Sequence, residues 1–203
     1  MITLKNWFNS DAPFMQILVK IADLVVLNFL TVLLSVPIVT IGAAVTALYD
    51  SVWRIQNDGG SIYKSFFVAF KNNFKQATII WMLVLLAGVL ILVSILFYSA
   101  NDLTVFMVIS VILVLLWAIA VSWVFPLLSR FDNPIKVTIK NAILCGLGHL
   151  PQSLVMVVLN LLPWGILLFL NSVFVVLGSI WITLWFSLTA YLNMKMIRKS
   201  LSL

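Results

Sequence analysis

The chain has 203 residues, 64% of them hydrophobic and 9% charged, with a mean hydropathy of +1.19 and a formal charge of +6. A water-soluble domain of this length has no interior large enough to hide that much apolar surface, so the composition excludes a soluble globular protein. It excludes a nucleic-acid binder as well: the twelve Lys and Arg residues stand in small groups between apolar runs, as cytoplasmic loops do, and form no patch on a polar domain.

Residues 1–12 read as a short arm, with Trp7 and Phe8 suited to headgroup depth. Pro13 fits the first turn of a helix, where its missing N–H costs nothing. A first span is expected over 13–36, carrying Lys20 and Asp23 near its cytoplasmic end. Pro37 cannot continue a helix and pushes Val36 away from helical angles, so it reads as a corner. A second span is expected over 38–55. In it Gly42, Thr46, Asp50 and Arg54 recur every four residues and share one face, widened by Ala43 and Ala47. In lipid, small residues at this spacing let two helix backbones approach closely, so the face is a packing surface. Asp50 and Arg54 read as an ion pair near the cytoplasmic boundary; the functional alternative is a pathway for an ion or a substrate.

Asn57-Asp58-Gly59-Gly60 is a turn cluster and Ser61 can cap the next helix. Over 62–75 the spacing predicts an amphipathic helix with Tyr63, Phe66, Phe67, Phe70 and Phe74 on one side and Lys64, Lys71, Asn72 and Lys75 elsewhere. Such a helix is expected to lie in the interface plane, with Phe67 and Phe70 available to a partner. Spans are expected over 76–97 and 103–128, joined by the polar turn 98–102. Asn133 as cap and Pro134 at the first position then open a second amphipathic helix. Ile135, Ile139, Ala142 and Ile143 line one face of it, Lys136, Lys140 and Asn141 the other, and it ends at Gly146 and Gly148. Spans over 152–170 and 173–191, separated by Asn171-Ser172, complete the chain before the basic tail of Lys195, Arg198 and Lys199.

The expected architecture is therefore all-α: one polytopic membrane bundle of six spans with two cytoplasmic amphipathic helices. With a corner at Pro37 both termini and every Lys and Arg lie on the cytoplasmic side, as the positive-inside tendency favours. If Pro37 only kinks one long helix, there are five spans and the N-terminus is outside. A re-entrant hairpin over 20–55 is a third arrangement with the same charge placement.

Chemistry has little to work with. There is no glutamate, one histidine, one cysteine and six aspartates. His149 and Cys145 are four apart, but no second pair exists to complete a zinc site. No phosphate-cradling loop for ATP and no nucleophile triad stands out. The chain is thus expected to be no enzyme and to need no metal or cofactor. Of the eight tryptophans, Trp81, Trp117, Trp123, Trp164, Trp181 and Trp185 read as interface anchors or bundle filling.

Three stretches in order carry a family likeness: Val36-Pro37-Ile38-Val39-Thr40-Ile41-Gly42-Ala43 with Thr46-Ala47-Leu48-Tyr49; Phe70-Lys71-Asn72-Asn73-Phe74-Lys75-Gln76-Ala77-Thr78; and Phe125-Pro126-Leu127-Leu128-Ser129-Arg130-Phe131-Asp132-Asn133-Pro134. With them the chain resembles the YesL-like family of small bacterial integral membrane proteins, over roughly residues 14–195. The resemblance implies the cell membrane of a bacterium and company with carbohydrate ABC importers and glycoside hydrolases. It implies no catalytic or ligand-binding residue, because the family's domain has no assigned function. Two functions are compatible with this pattern. One is a non-catalytic accessory subunit whose partners are the lipid bilayer, the membrane subunits of such an importer and a second copy of the chain. The other is a small carrier or channel, whose midplane candidates are Thr40, Asn160 and the Pro163-Trp164-Gly165 break. Their scarcity favours the accessory role.

Overall fold

A computed structural model describes residues 13–57, 61–169 and 184–201. Among them are seven α-helices and no strand: α1 Pro13–Leu34, α2 Ile41–Gln56, α3 Ile62–Ala100, α4 Thr104–Arg130, α5 Ile135–Gly148, α6 Leu150–Phe169 and α7 Phe186–Leu201. Four helical segments are individually long and apolar enough to cross a membrane: Phe14–Leu34, Ile38–Gln56, Ile62–Ala100 and Thr104–Arg130. Helix α5 and the segment Leu150–Leu162 of α6 reach that standard together, bent by 106° at their junction. The arm over 1–12, the Asn171-Ser172 turn and most of the expected sixth span lie outside the described residues.

The corner at Pro37 is a bend followed by a single 3-10 turn, Ile38–Thr40. The Thr40 hydroxyl donates to the carbonyls of Leu34 and Pro37, so it closes the corner. That occupies the residue read from sequence as a midplane candidate. Likewise Pro163 does not interrupt its helix; α6 runs on to Phe169.

Two expected boundaries are absent. The helix over 62–75 does not end before the span over 76–97: α3 is one helix of 39 residues, about 58 Å long at 1.5 Å per residue. Nor does a polar turn begin at Tyr98. The helix continues to Ala100, and only Asn101, Asp102 and Leu103 turn the chain, Asp102 with φ of 56°. Aspartate tolerates that left-handed conformation better than most residues. Helices α3 and α4 thus form a long hairpin, tied near its tip by the Ser94–Ser110 hydroxyl pair at 3.1 Å and by stacked Tyr98 and Phe106.

Helix α2 makes its most extensive contact with α3. Gly42 lies directly against it, and a Cβ there would stand 2.5 Å from the Ala77 carbonyl oxygen and 2.6 Å from Trp81 Cβ. Ala43, Thr46 and Ala47 beside it are fully buried, and the Thr46 hydroxyl turns back to the Gly42 carbonyl at 2.8 Å. Trp81 Nε1 donates to the Ile38 carbonyl at 2.8 Å. These contacts set the level of the corner along α3. Helix α3 continues for about 19 residues, roughly 28 Å, past Trp81. The α1–α2 hairpin therefore stops about halfway along the α3–α4 hairpin. Its tip is apolar and open, with Val36 75% exposed.

Helix α5 packs along α4. Its buried face is Thr138, Ala142 and Gly146, small residues four apart, rather than the row of isoleucines. Gly146 touches Ile119 and Trp123 of α4. Pro134 occupies the cap position and Asn133 makes no side-chain cap; the Asn133 carbonyl instead accepts from Gln76 Nε2 at 2.6 Å. The aromatic row on α3 is divided in the same way. Phe66 is fully buried and Phe70 packs on the core, whereas Tyr63, Phe67 and Phe74 face outward.

Candidate functional site

Two polar groupings lie inside the apolar bundle, close together on α2. The first centres on Asp50, only 8% exposed. A carboxylate removed from water needs cations and hydrogen bonds to hold its charge. Arg54, one turn on, donates Nε–H to Oδ2 at 2.9 Å. Arg130, from the last turn of α4, donates Nη1–H to Oδ1 at 3.0 Å. The Arg130 guanidinium also lies 4.7 Å from the Trp53 ring centre, and that of Arg198 in α7 lies 5.5 Å from the same ring. Both distances are within cation–π range. Gln56 Nε2 reaches the Tyr191 carbonyl at 2.8 Å, adding a second tie between α2 and α7. One aspartate and one tryptophan thus gather the ends of α2, α4 and α7. Next to them a recess of about 450 Å³ is lined by Gln56, Tyr191, Lys195, Arg198 and Lys199.

The second grouping runs across four helices. Asn193 of α7, fully buried, donates from Nδ2 to the Tyr49 hydroxyl oxygen and to Asn160 Oδ1, each at 3.2 Å. Asn160 of α6 donates in turn to the Ser122 hydroxyl of α4 at 3.3 Å. Near it Trp123 Nε1 donates to Ser153 Oγ at 2.8 Å, and Ser153 donates to the Gly146 carbonyl. Asn28 of α1 accepts the Ser187 backbone N–H at 3.0 Å. Asn193 Oδ1 and Ser51 Oγ are buried and have no hydrogen-bond partner among the described residues. Such a network specifies which helices meet, at a cost wherever a member is left unpaired.

Among the residues singled out in the sequence, Asp50 and Arg54 are joined in this site, Gly42 and Thr46 sit in the α2–α3 contact, and Pro37 is at the exposed corner. Phe67 and Phe70 lie on α3, while Asn133 and Pro134 lead into α5; neither pair takes part in the Asp50 cluster. Sequence reasoning missed Arg130, Trp53 and Arg198. Its only signal for Arg130 was a basic residue at a helix end. Asp23 accepts from the Tyr63 hydroxyl of α3 at 2.6 Å, a tie between α1 and α3. His149 stacks on Trp123 with ring centres 5.6 Å apart. Among the described residues no three of His, Cys, Asp or Glu converge on a point where a metal could sit.

The chain is similar over residues 24–95, from within α1 to the upper part of α3, to the family described as Protein of unknown function, DUF624. No curated protein and no solved structure matches it.

Proposed function

We propose that the protein is a non-catalytic accessory subunit of the bacterial cell membrane that docks on a membrane transport complex, with a carbohydrate ABC importer as the partner class. The observation that carries this reading is the continuity of α3. At about 58 Å it is nearly twice the thickness of a hydrocarbon core of about 30 Å. Its first end, residues 62–75, bears Lys64, Lys71 and Lys75, so that end is the one held outside the apolar layer. A helix collinear with a span cannot also lie flat and rest its aromatic side on lipid. Yet Phe67 and Phe74 there are 50% and 39% exposed. A protein partner that covers them accounts for both facts, and aromatic anchors dominate such interfaces. The importer as partner rests on the YesL-like resemblance alone.

Both termini lie on the cytoplasmic side in this reading, with residues 56–75 and 129–150. The offset of the two hairpins favours the re-entrant arrangement of 20–55 over six full spans. The hairpin enters from the cytoplasmic side, and its tip at Pro37 stops level with Trp81. The polar chain Tyr49–Asn193–Asn160–Ser122 is what favours the second reading, a small carrier, since it places amide groups at the meeting point of four helices.

Co-purification separates the two. Phe67→Ala with Phe74→Ala, both outward-facing, should lose the transporter subunits that wild type brings down, while the melt in detergent stays unchanged. If neither form brings down a transporter subunit and the purified protein moves a solute across liposomes alone, the carrier reading replaces this one.

A further inference from the structure

Along the upper side of the bundle, α3, α4 and α5 leave an apolar groove of about 440 Å³. Its walls include Ile80, Ala87 and Ile91 of α3, Trp117 and Ala120 of α4, and Ile139 of α5. Trp117 offers its ring and not its N–H, because Nε1 is already bonded to the Val84 carbonyl at 3.1 Å. The groove thus has nothing polar to offer a solute. From Ile80 to Ile91 it extends eleven residues along α3, about 16 Å. That is the depth of one leaflet, half of a hydrocarbon core of about 30 Å.

One end of the groove is cationic. Ile139 and Ile143 line both the groove and a shallower recess whose other walls are Lys136, Lys140 and Leu144. Both lysines are exposed, and neither has an ion-pair partner among the described residues. The nearest carboxylate in sequence is Asp132, in the loop ahead of α5. The lysines stand in the first two turns of α5, which begins beside the α4 terminus. The groove extends from them toward the middle of the α3–α4 hairpin.

We propose that this groove holds one acyl chain of an anionic phospholipid whose phosphate pairs with Lys136 and Lys140. The match is in both length and charge. A leaflet-deep apolar slot takes the chain, and two adjacent lysines at its mouth take the headgroup, as basic recesses between membrane helices do. The lipid then lies against Ile139 and Ile143 of α5 and the facing residues of α3 and α4, and so joins the α5 and α3–α4 elements. A partner helix in the same slot would need no lysine at its end.

Native mass spectrometry of the detergent-purified protein tests this. The probes are phosphatidylglycerol, phosphatidylcholine of the same chains, and chainless sn-glycerol 3-phosphate. Wild type should retain one phosphatidylglycerol, hold phosphatidylcholine more weakly, and be indifferent to glycerol 3-phosphate. Lys136→Gln and Lys140→Gln should each weaken phosphatidylglycerol retention about fivefold and leave phosphatidylcholine unaffected. Ala87→Phe and, separately, Ala120→Phe should fill the slot and reduce retention of both lipids. The lysine variants lie on the exposed surface and keep the test valid if a phenylalanine variant fails to fold. Equal retention of the two lipids by wild type would overturn the proposal, as would competition by glycerol 3-phosphate. So would unchanged lipid binding in the lysine variants, or in folded phenylalanine variants. A dimer that either phenylalanine variant disperses would assign the groove to a second copy of the chain instead.

Discussion

Replacing Gly42 by alanine places a methyl group where α2 and α3 touch backbone to backbone. The new Cβ would stand 2.5 Å from the Ala77 carbonyl oxygen and 2.6 Å from Trp81 Cβ. Comfortable carbon contacts begin near 3.5 Å, so the helices must separate locally by about 1 Å. Neither obstacle can rotate away: one is main chain, and the other is the root of a side chain whose indole is bonded to Ile38. A gap of that size forfeits a quarter to a half of the dispersion energy of the atoms lining it. The pairs at stake include Ala43, Ala47 and Ala77, all fully buried. Overpacking of this kind costs about 1–3 kcal/mol, and weakening of the Trp81–Ile38 bond adds about 0.5–1.5 kcal/mol. A total near 3 kcal/mol corresponds to a fall in melting temperature of roughly 6–12 °C for a chain of this size. The assay is a thermal melt of the detergent-solubilised protein, read beside three other glycines. Gly146→Ala, which meets the Ile119 Cγ2 methyl at 2.6 Å, should cost less because one side-chain methyl, and no main chain closer than 3.7 Å, stands in its way. Gly88→Ala, 3.0 Å from the Trp117 ring, should cost less again. Gly148→Ala meets nothing within 4 Å and should be neutral or slightly stabilising. If Gly42→Ala melts with wild type, or if the order of the four is scrambled, backbone approach at Gly42 is not what holds α2 to α3.

Arg130→Ala should destabilise by about 2–3 kcal/mol, because it leaves Asp50 without its interhelical cation. Arg54→Ala, whose side chain is 45% exposed, should cost less than about 1 kcal/mol; equal effects in chemical denaturation would refute the asymmetry. Asn193→Ala should cost about 2 kcal/mol by leaving Asn160 Oδ1 unpaired. Tyr49→Phe, which removes an acceptor from an amide that keeps its other bond, should cost under about 1 kcal/mol, and the same denaturation series checks both. Topology is read in a Cys145→Ser background with an impermeant thiol reagent on intact cells. Ala100→Cys should label, while Lys5→Cys, Asp58→Cys, Asp132→Cys and Ser200→Cys should not. Val36→Cys at the exposed corner should also stay unlabelled; labelling there would establish a full crossing at Pro37. Labelling of Lys5→Cys without Asp58→Cys would establish five spans.

The local pattern of the chain carries a set of helices and their stops. Apolar runs of helical length placed α1, α2 and α4 in the sequence, because partition into lipid depends on composition over about twenty residues and not on neighbours. Pro37 ended a helix on its own, through a missing N–H and a clash with the preceding turn. Asp50 and Arg54 were legible as a pair because spacing four is a property of one helix. The continuity of α3 was not legible. The change from Lys71 and Lys75 to the apolar run after Ala77 alters the solvent a helix prefers, but contains nothing that breaks the backbone ladder. A change of environment there looks like a change of structure. The partners were decided by tertiary structure alone. The face of Gly42 was visible as a packing surface, yet nothing in it names Ala77 and Trp81. Arg130 lies eighty residues from the carboxylate it meets, and Asn193 is fully buried between Tyr49 and Asn160. Helical periodicity records which face of a helix is special. It holds no record of the face on the other side of the contact, because that is set by how the loops and the competing small-residue faces let whole helices dock. The offset between the two hairpins has the same origin: the register of α2 on α3 is chosen by where one glycine finds a gap, a decision made between helices and not along either of them.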